Sequence, residues 1–168
     1  MSLTHDGVMA GLEWAGRLVE HRVSPGGMFG GWAGRDVLCH LASYTRVVGG
    51  VFLGQAEGRL PTMTELYGRE LSDQELAIVR LDEINEAVRR EYEALSYEEA
   101  LAFWRTMHER ATAQAARLTD EQLAAPGPSY PANWWHEHLS EVVTTLIRHY
   151  EGHMGTSGEL DNVRAPSG

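Results

Sequence analysis

Apolar residues recur along this chain at spacings of three and four. Leu3, Val8, Met9, Leu12, Ala15, Leu18 and Val19 trace one face of a helix predicted over residues 3–23. It stops at Ser24-Pro25-Gly26-Gly27, and a loop containing Trp32 continues to Gly34. Val37, Leu41, Tyr44, Val48 and Val51 mark a second helix from Arg35 to Phe52, with Asp36 in its first turn. The connection from Gly54 to Leu71 is long for a compact domain and suggests a crossover rather than a tight hairpin. Ser72-Asp73-Gln74-Glu75 fits a capping box that opens a helix to Ala94, and Ser96-Tyr97-Glu98-Glu99 fits another, followed by Phe103, Trp104, Met107, Ala111 and Leu118. A break is expected near Leu95. The proline-bearing stretch from Thr119 to Asn133 reads as loop, and a last helix runs from Asn133 to Gly155. No strand-like alternation of useful length interrupts this series, so the chain reads as an all-α bundle.

Composition narrows the picture. The 168 residues, 43% hydrophobic and 23% charged, suit one domain over residues 1–155, with a polar, flexible tail at 156–168. No continuous apolar run reaches the roughly 18–20 residues of a membrane-spanning helix, and the N-terminus has no signal-peptide pattern. A cytoplasmic location is the expectation. Net charge is −10 and every basic residue is an arginine, scattered rather than gathered on a face. Nucleic acid and anionic membrane are therefore poor partners. Cys39 stands alone, which removes an intramolecular disulfide and a cysteine-based metal site, and its place in an apolar helical pattern suggests a buried, inert thiol.

The eight histidines carry the chemical content. His149 and His153, four apart, lie about 40° from each other around the last helix and can share one metal ion. Chance alone would give about 0.4 such pairs in this composition. Position strengthens the pair: Leu139, Val142, Val143, Leu146 and Tyr150 define the buried side, with His153 inside that stripe and His149 at its edge. His40 faces inward with Val37, Tyr44, Val47 and Val51. Two readings stay open on these grounds: a three-nitrogen metal site with an open fourth position, or three core histidines bonded to neighbouring carbonyls. His136 and His138 flank Glu137 near the start of the last helix and read as solvated, with His138 also a candidate proton carrier at a pocket mouth. His108 reads as a surface ring, His5 and His21 sit at helix ends, and Trp134-Trp135 reads as a packing plug.

Gly31-Trp32-Ala33-Gly34-Arg35-Asp36-Val37-Leu38-Cys39-His40-Leu41 resembles the Gly-Trp-x-x-Arg/Lys-Asp-x-x-x-His-Leu stretch of the DinB-like metalloprotein superfamily. The His-x-x-x-His pair at His149 and His153 resembles that family's second mark, and the segment from Leu81 through Trp104 is similar to mycothiol-dependent maleylpyruvate isomerases. The resemblance implies a four-helix bundle with one crossover link and an additional helix. It also implies a divalent metal, zinc or nickel, on residues matching His40, His149 and His153. The implied activity is a thiol-dependent transferase or isomerase, using a thiol of the mycothiol, bacillithiol or glutathione type on an electrophile, in a stress-response setting. A metal-water hydrolase and a non-catalytic metal-binding bundle are the alternatives. Homodimers are common in the family. On this expectation Asp36 is a candidate to orient the His40 ring, Glu141 is surface-exposed, and Arg46 and Arg148 are either surface residues or anchors for a substrate carboxylate.

Overall fold

The computed structural model describes residues 3–72, 90–127 and 137–155. Within them lie helices α1 (His5–Arg22), α2 (Gly34–Ala56), α3 (Met63–Tyr67), α4 (Tyr97–Ala115), α5 (Asp120–Ala124) and α6 (Glu141–Met154). The one pair of strands among the described residues, β1 (Met28–Phe29) and β2 (Trp32–Ala33), forms an antiparallel hairpin in which Phe29 pairs with Trp32. The protein is an all-α bundle, as its periodicity predicts, with this small hairpin inserted in the first loop. Gly30 and Gly31 make its turn with φ of 60° and 87°, the left-handed values that let a two-residue turn follow strand twist.

Among the described residues, four long helices make the bundle. The α2–α4 contact is the most extensive, α1 packs on α4 and α6, and α6 also packs on α2. Consecutive helices α1 and α2 therefore occupy opposite corners, joined across the bundle end by the hairpin loop. Gly34 secures that joint: a Cβ there would lie 2.1 Å from the Ser24 carbonyl oxygen, so only glycine lets the chain enter α2 at this point.

Local chemistry explains the ends. Thr4 caps α1 through a hydrogen bond from the Gly7 amide. Ser96 and Glu99 form the predicted capping box at the start of α4. Equivalent boxes, Thr62 with Glu65 and Thr119 with Gln122, open the short helices α3 and α5 inside segments read from sequence as loops. The last helix begins at Glu141 rather than Asn133, and the chain through Glu137–Ser140 is a turn held by backbone bonds from Leu139 to Ala125 and from Ser140 to Leu123. The capping box predicted at Ser72–Glu75, most of the helix expected from there to Ala94, the Trp134-Trp135 pair, His136 and the 156–168 tail lie outside the described residues.

Helix α2 is long and apolar enough to cross a membrane by length and composition, in contrast to the expectation from uninterrupted apolar runs. Its most apolar window has a mean hydropathy of 1.3, and 83% of that window is buried inside the bundle. That is the environment of a core helix. Glycines, Ser43 and Thr45 break the apolar run without lowering the average much.

A polar chain crosses the core. The Trp104 indole N–H on α4 donates to the Tyr150 hydroxyl on α6 at 3.0 Å. Tyr150 in turn bonds Thr45 Oγ1 on α2, whose own hydroxyl donates to the Leu41 carbonyl at 2.7 Å. All three side chains are buried, so each needs its partner. Replacing Tyr150 with Phe leaves the indole N–H unpaired at constant shape, and the expected loss is about 1–3 kcal/mol. Urea unfolding of the variant measures it; an unchanged midpoint would show that the network contributes nothing net.

Candidate metal centre

Packing of α6 against α2 sets His149 and His153 beside His40. The four-residue spacing puts the α6 pair on one face, and His40 stands on the side of α2 that meets them. The three rings lie with centroids 4.8 Å apart in every pairing. One nitrogen from each lies within 4.8 Å of the other two, and no carboxylate or cysteine joins the group among the described residues. His40 Nε2 and His149 Nε2 are 2.8 Å apart. Two imidazole nitrogens meet at that distance when one N–H points at the other's lone pair, or when both lone pairs converge on a cation.

Burial keeps these rings neutral. His40 is 6% exposed, and its pKa falls from 6.5 to about 4, through desolvation first and then the neighbouring His153 charge. His149 falls to about 3, through desolvation and then His40 and His153. Burial also lowers His153. A neutral imidazole is the form that ligates. Tetrahedral zinc with bonds of about 2.0–2.1 Å holds its nitrogens on the order of 3.3 Å apart. The donor set spans that separation, so the residues present fit a divalent cation with three neutral nitrogen ligands.

The rings are framed by aromatic side chains. Tyr44, one turn after His40 on α2, stacks on His149 with centroids 4.3 Å apart and planes 15° from parallel. Trp32 of the hairpin packs on His40 at 4.9 Å and edge-on to His153 at 6.0 Å. Neither was singled out for the site from sequence. The signal was present: Tyr44 shares the His40 stripe, and Trp32 belongs to the stretch that carries the family resemblance.

The remaining candidates sit elsewhere. The Asp36 carboxylate accepts from Arg35 Nη2 at 2.6 Å and Nε at 3.1 Å, while His40 Nδ1 is buried with no hydrogen-bond partner among the described residues. Asp36 thus holds an arginine and does not orient the His40 ring. His138 precedes α6 instead of riding on it, and its Nδ1 lies 2.7 Å from the Ala124 carbonyl. His108, expected on the surface, is partly buried. It stacks on Trp104 at 5.3 Å, and burial lowers its pKa. Arg46 donates to the Tyr67 carbonyl and the Tyr92 hydroxyl, each at 2.8 Å, and lies over the Phe103 ring, which makes it a structural pin. Arg148 is exposed, whereas Glu141 is only partly so. Cys39 is buried, and burial pushes its thiol up to about 11.

No curated protein and no solved structure shows a significant match to the chain. A family model does: residues 18–157 match that of the DinB superfamily, a span that takes in the hairpin, α2, α4 and the α6 histidines. With that match covering most of the sequence and joined to a helical bundle carrying a three-histidine cluster, the chain belongs to the DinB superfamily.

Proposed function

We propose that this protein is a metal-dependent thiol S-transferase or isomerase acting on an electrophilic small molecule. The observation that supports it is the convergence of His40, His149 and His153 as three neutral imidazoles between two bundle helices. Superfamily members generally bind a metal, and these three residues would hold zinc or nickel here. When bound, such an ion would supply uncompensated positive charge that favours the thiolate form of a small thiol of the mycothiol, bacillithiol or glutathione type. The neutral imidazoles would hold the ion without neutralising it. Tyr44 and Trp32 exclude water from two sides of the cluster. The chain's own thiol is unsuited to the attack, because Cys39 is buried and its pKa is raised. The nucleophile therefore comes from outside. A cytoplasmic homodimer is part of the same proposal.

Elemental analysis of tag-free protein tests the site. The expected result is about one zinc or nickel per chain, lost in His40→Ala and His149→Ala with the helical circular dichroism retained. Loss of a chlorinated nitroaromatic should require added thiol and fall at least about 100-fold in His40→Ala. Consumption that proceeds without thiol would redirect the reading to hydrolysis. A parent that takes up no metal after reloading would overturn it.

The neutral rings also predict acid sensitivity of the metal-free protein. The unfolded chain binds protons at these histidines below the ordinary value of 6.5, whereas the folded chain resists protonation until about 4 at His40 and about 3 at His149. Stability is therefore lost as pH falls below about 6.5. Between pH 7 and 5.5, above the carboxylate range, the urea midpoint should drop in the metal-free parent and drop less in His149→Leu. Equal drops in both would remove these rings as the cause.

A further inference from the structure

A ligating histidine is ordinarily held by a hydrogen bond from its second ring nitrogen to a carboxylate or carbonyl, which fixes tautomer and direction. His40 lacks that support: Nδ1 is buried and unpartnered among the described residues, and the nearby Asp36 is committed to Arg35. Something else must keep the ring aimed at His149. Trp32 is placed to do so, since its ring contacts both His40 and His153 and so touches one histidine from each helix.

The hairpin that carries Trp32 is built to hold it there. Its strands are two residues each, too short to be stable alone. Its stem is tied down by backbone bonds from the Gly34 amide to the Gly27 carbonyl at 3.2 Å and from Gly27 to Ser24 at 3.1 Å. The close approach of Gly34 to the Ser24 carbonyl fixes where the stem leaves α2. Across the strands Phe29 pairs with Trp32. The turn passes over the cluster: a Cβ at Gly30 would stand 4.0 Å from His153 Nδ1. On the other side, Tyr44 backs His149.

We propose that Trp32 is a positioning residue, and that the 28–33 hairpin is a clamp which sets the cluster's affinity for a divalent cation through aromatic packing on His40 and His153, in place of a hydrogen-bonded carboxylate. This deepens the metal reading and rests on it for the affinity measurement alone. Because the ring touches histidines from both α2 and α6, its removal loosens the cluster without opening the bundle core, to which the hairpin contributes only part-buried side chains.

Two measurements on the full chain decide it. Zinc affinity by competition with a chromophoric chelator should weaken 10–100-fold in Trp32→Ala, the range found when a supporting group is lost from a metal ligand. Trp32→Phe should recover most of that loss, and Asp36→Asn should stay within about twofold of the parent. Carbethoxylation of the metal-free protein, mapped by mass spectrometry, should be at least about tenfold faster at His40 and His153 in Trp32→Ala, with His138 unchanged as internal control. Parent-like zinc affinity in Trp32→Ala, or an equal loss in Asp36→Asn, would overturn the clamp while leaving the metal site standing. A parent that binds neither zinc nor nickel would defeat the metal reading instead. Trp32 as the residue that holds the rings would then be judged on carbethoxylation: faster modification in Trp32→Ala upholds that positioning role, and an unchanged rate overturns it.

Discussion

Burying α2 on nearly every side is the constraint from which the rest of this structure follows. Its residues from Val37 through Thr45 are all buried, including His40, Ser43 and Thr45. A helix in that position has no water to satisfy its polar side chains, so each must find a partner in the protein. Ser43 and Thr45 turn back on the carbonyls one turn earlier, at Cys39 and Leu41. Thr45 also reaches Tyr150 and through it Trp104, which ties α2, α4 and α6 by one polar chain. His40 cannot reach its own backbone in this way, and its Nε2 meets His149 instead. The same packing that buries α2 thus creates both the network that fixes the helix arrangement and the cluster that gives the bundle its chemistry.

Much of this was legible in the sequence because it depends on period. The stripes on α1, α2, α4 and α6 follow the 3.6-residue repeat, and the inward faces of His40, His149 and His153 follow from where those stripes run. The short helices α3 and α5 were not legible by period, since five residues complete little more than one turn. Their capping boxes, Thr62 with Glu65 and Thr119 with Gln122, were the available signal, overshadowed by the prolines and glycines around them. The hairpin was hidden for a related reason: two-residue strands show no alternation, and only the glycine pair at its turn marked it.

Side-chain pairing was the least readable layer. Asp36 stands four residues before His40, the spacing at which a carboxylate could support the ring, yet its immediate neighbour Arg35 takes it at 2.6 Å. A guanidinium offers two aligned donors and full charge, where a neutral, buried imidazole offers one weak donor, so the ion pair wins. His108 illustrates the same limit. Its spacing from Trp104 suggested a surface ring, but Gly16 leaves room on α1 that the imidazole fills; a Cβ at Gly16 would fall 2.8 Å from its Nε2. Which face of a helix a residue takes is a property of the helix, whereas the depth of its neighbour's groove belongs to another segment.

The cluster is best understood by asking what a bundle core would hold if stability alone decided. Leucine or methionine at His40 and His149 would bury apolar surface with no polar atom to satisfy, at roughly 1.5–3 kcal/mol gained per buried side chain. The observed residues do the opposite. His40 leaves one buried nitrogen unpartnered among the described residues, an arrangement that costs about 1–3 kcal/mol. Both rings are held neutral against their ordinary tendency to protonate. A mutual hydrogen bond between two imidazoles returns only about 0.5–1.5 kcal/mol, too little to offset those losses. Local rules are broken in this way where function requires it, and three neutral imidazoles with one nitrogen of each within 4.8 Å of the others suit a cation better than they suit packing. Tyr44 and Trp32 fit the same account: they supply the apolar contact that the histidines do not, Tyr44 stacking on His149 and Trp32 packing on His40 and His153.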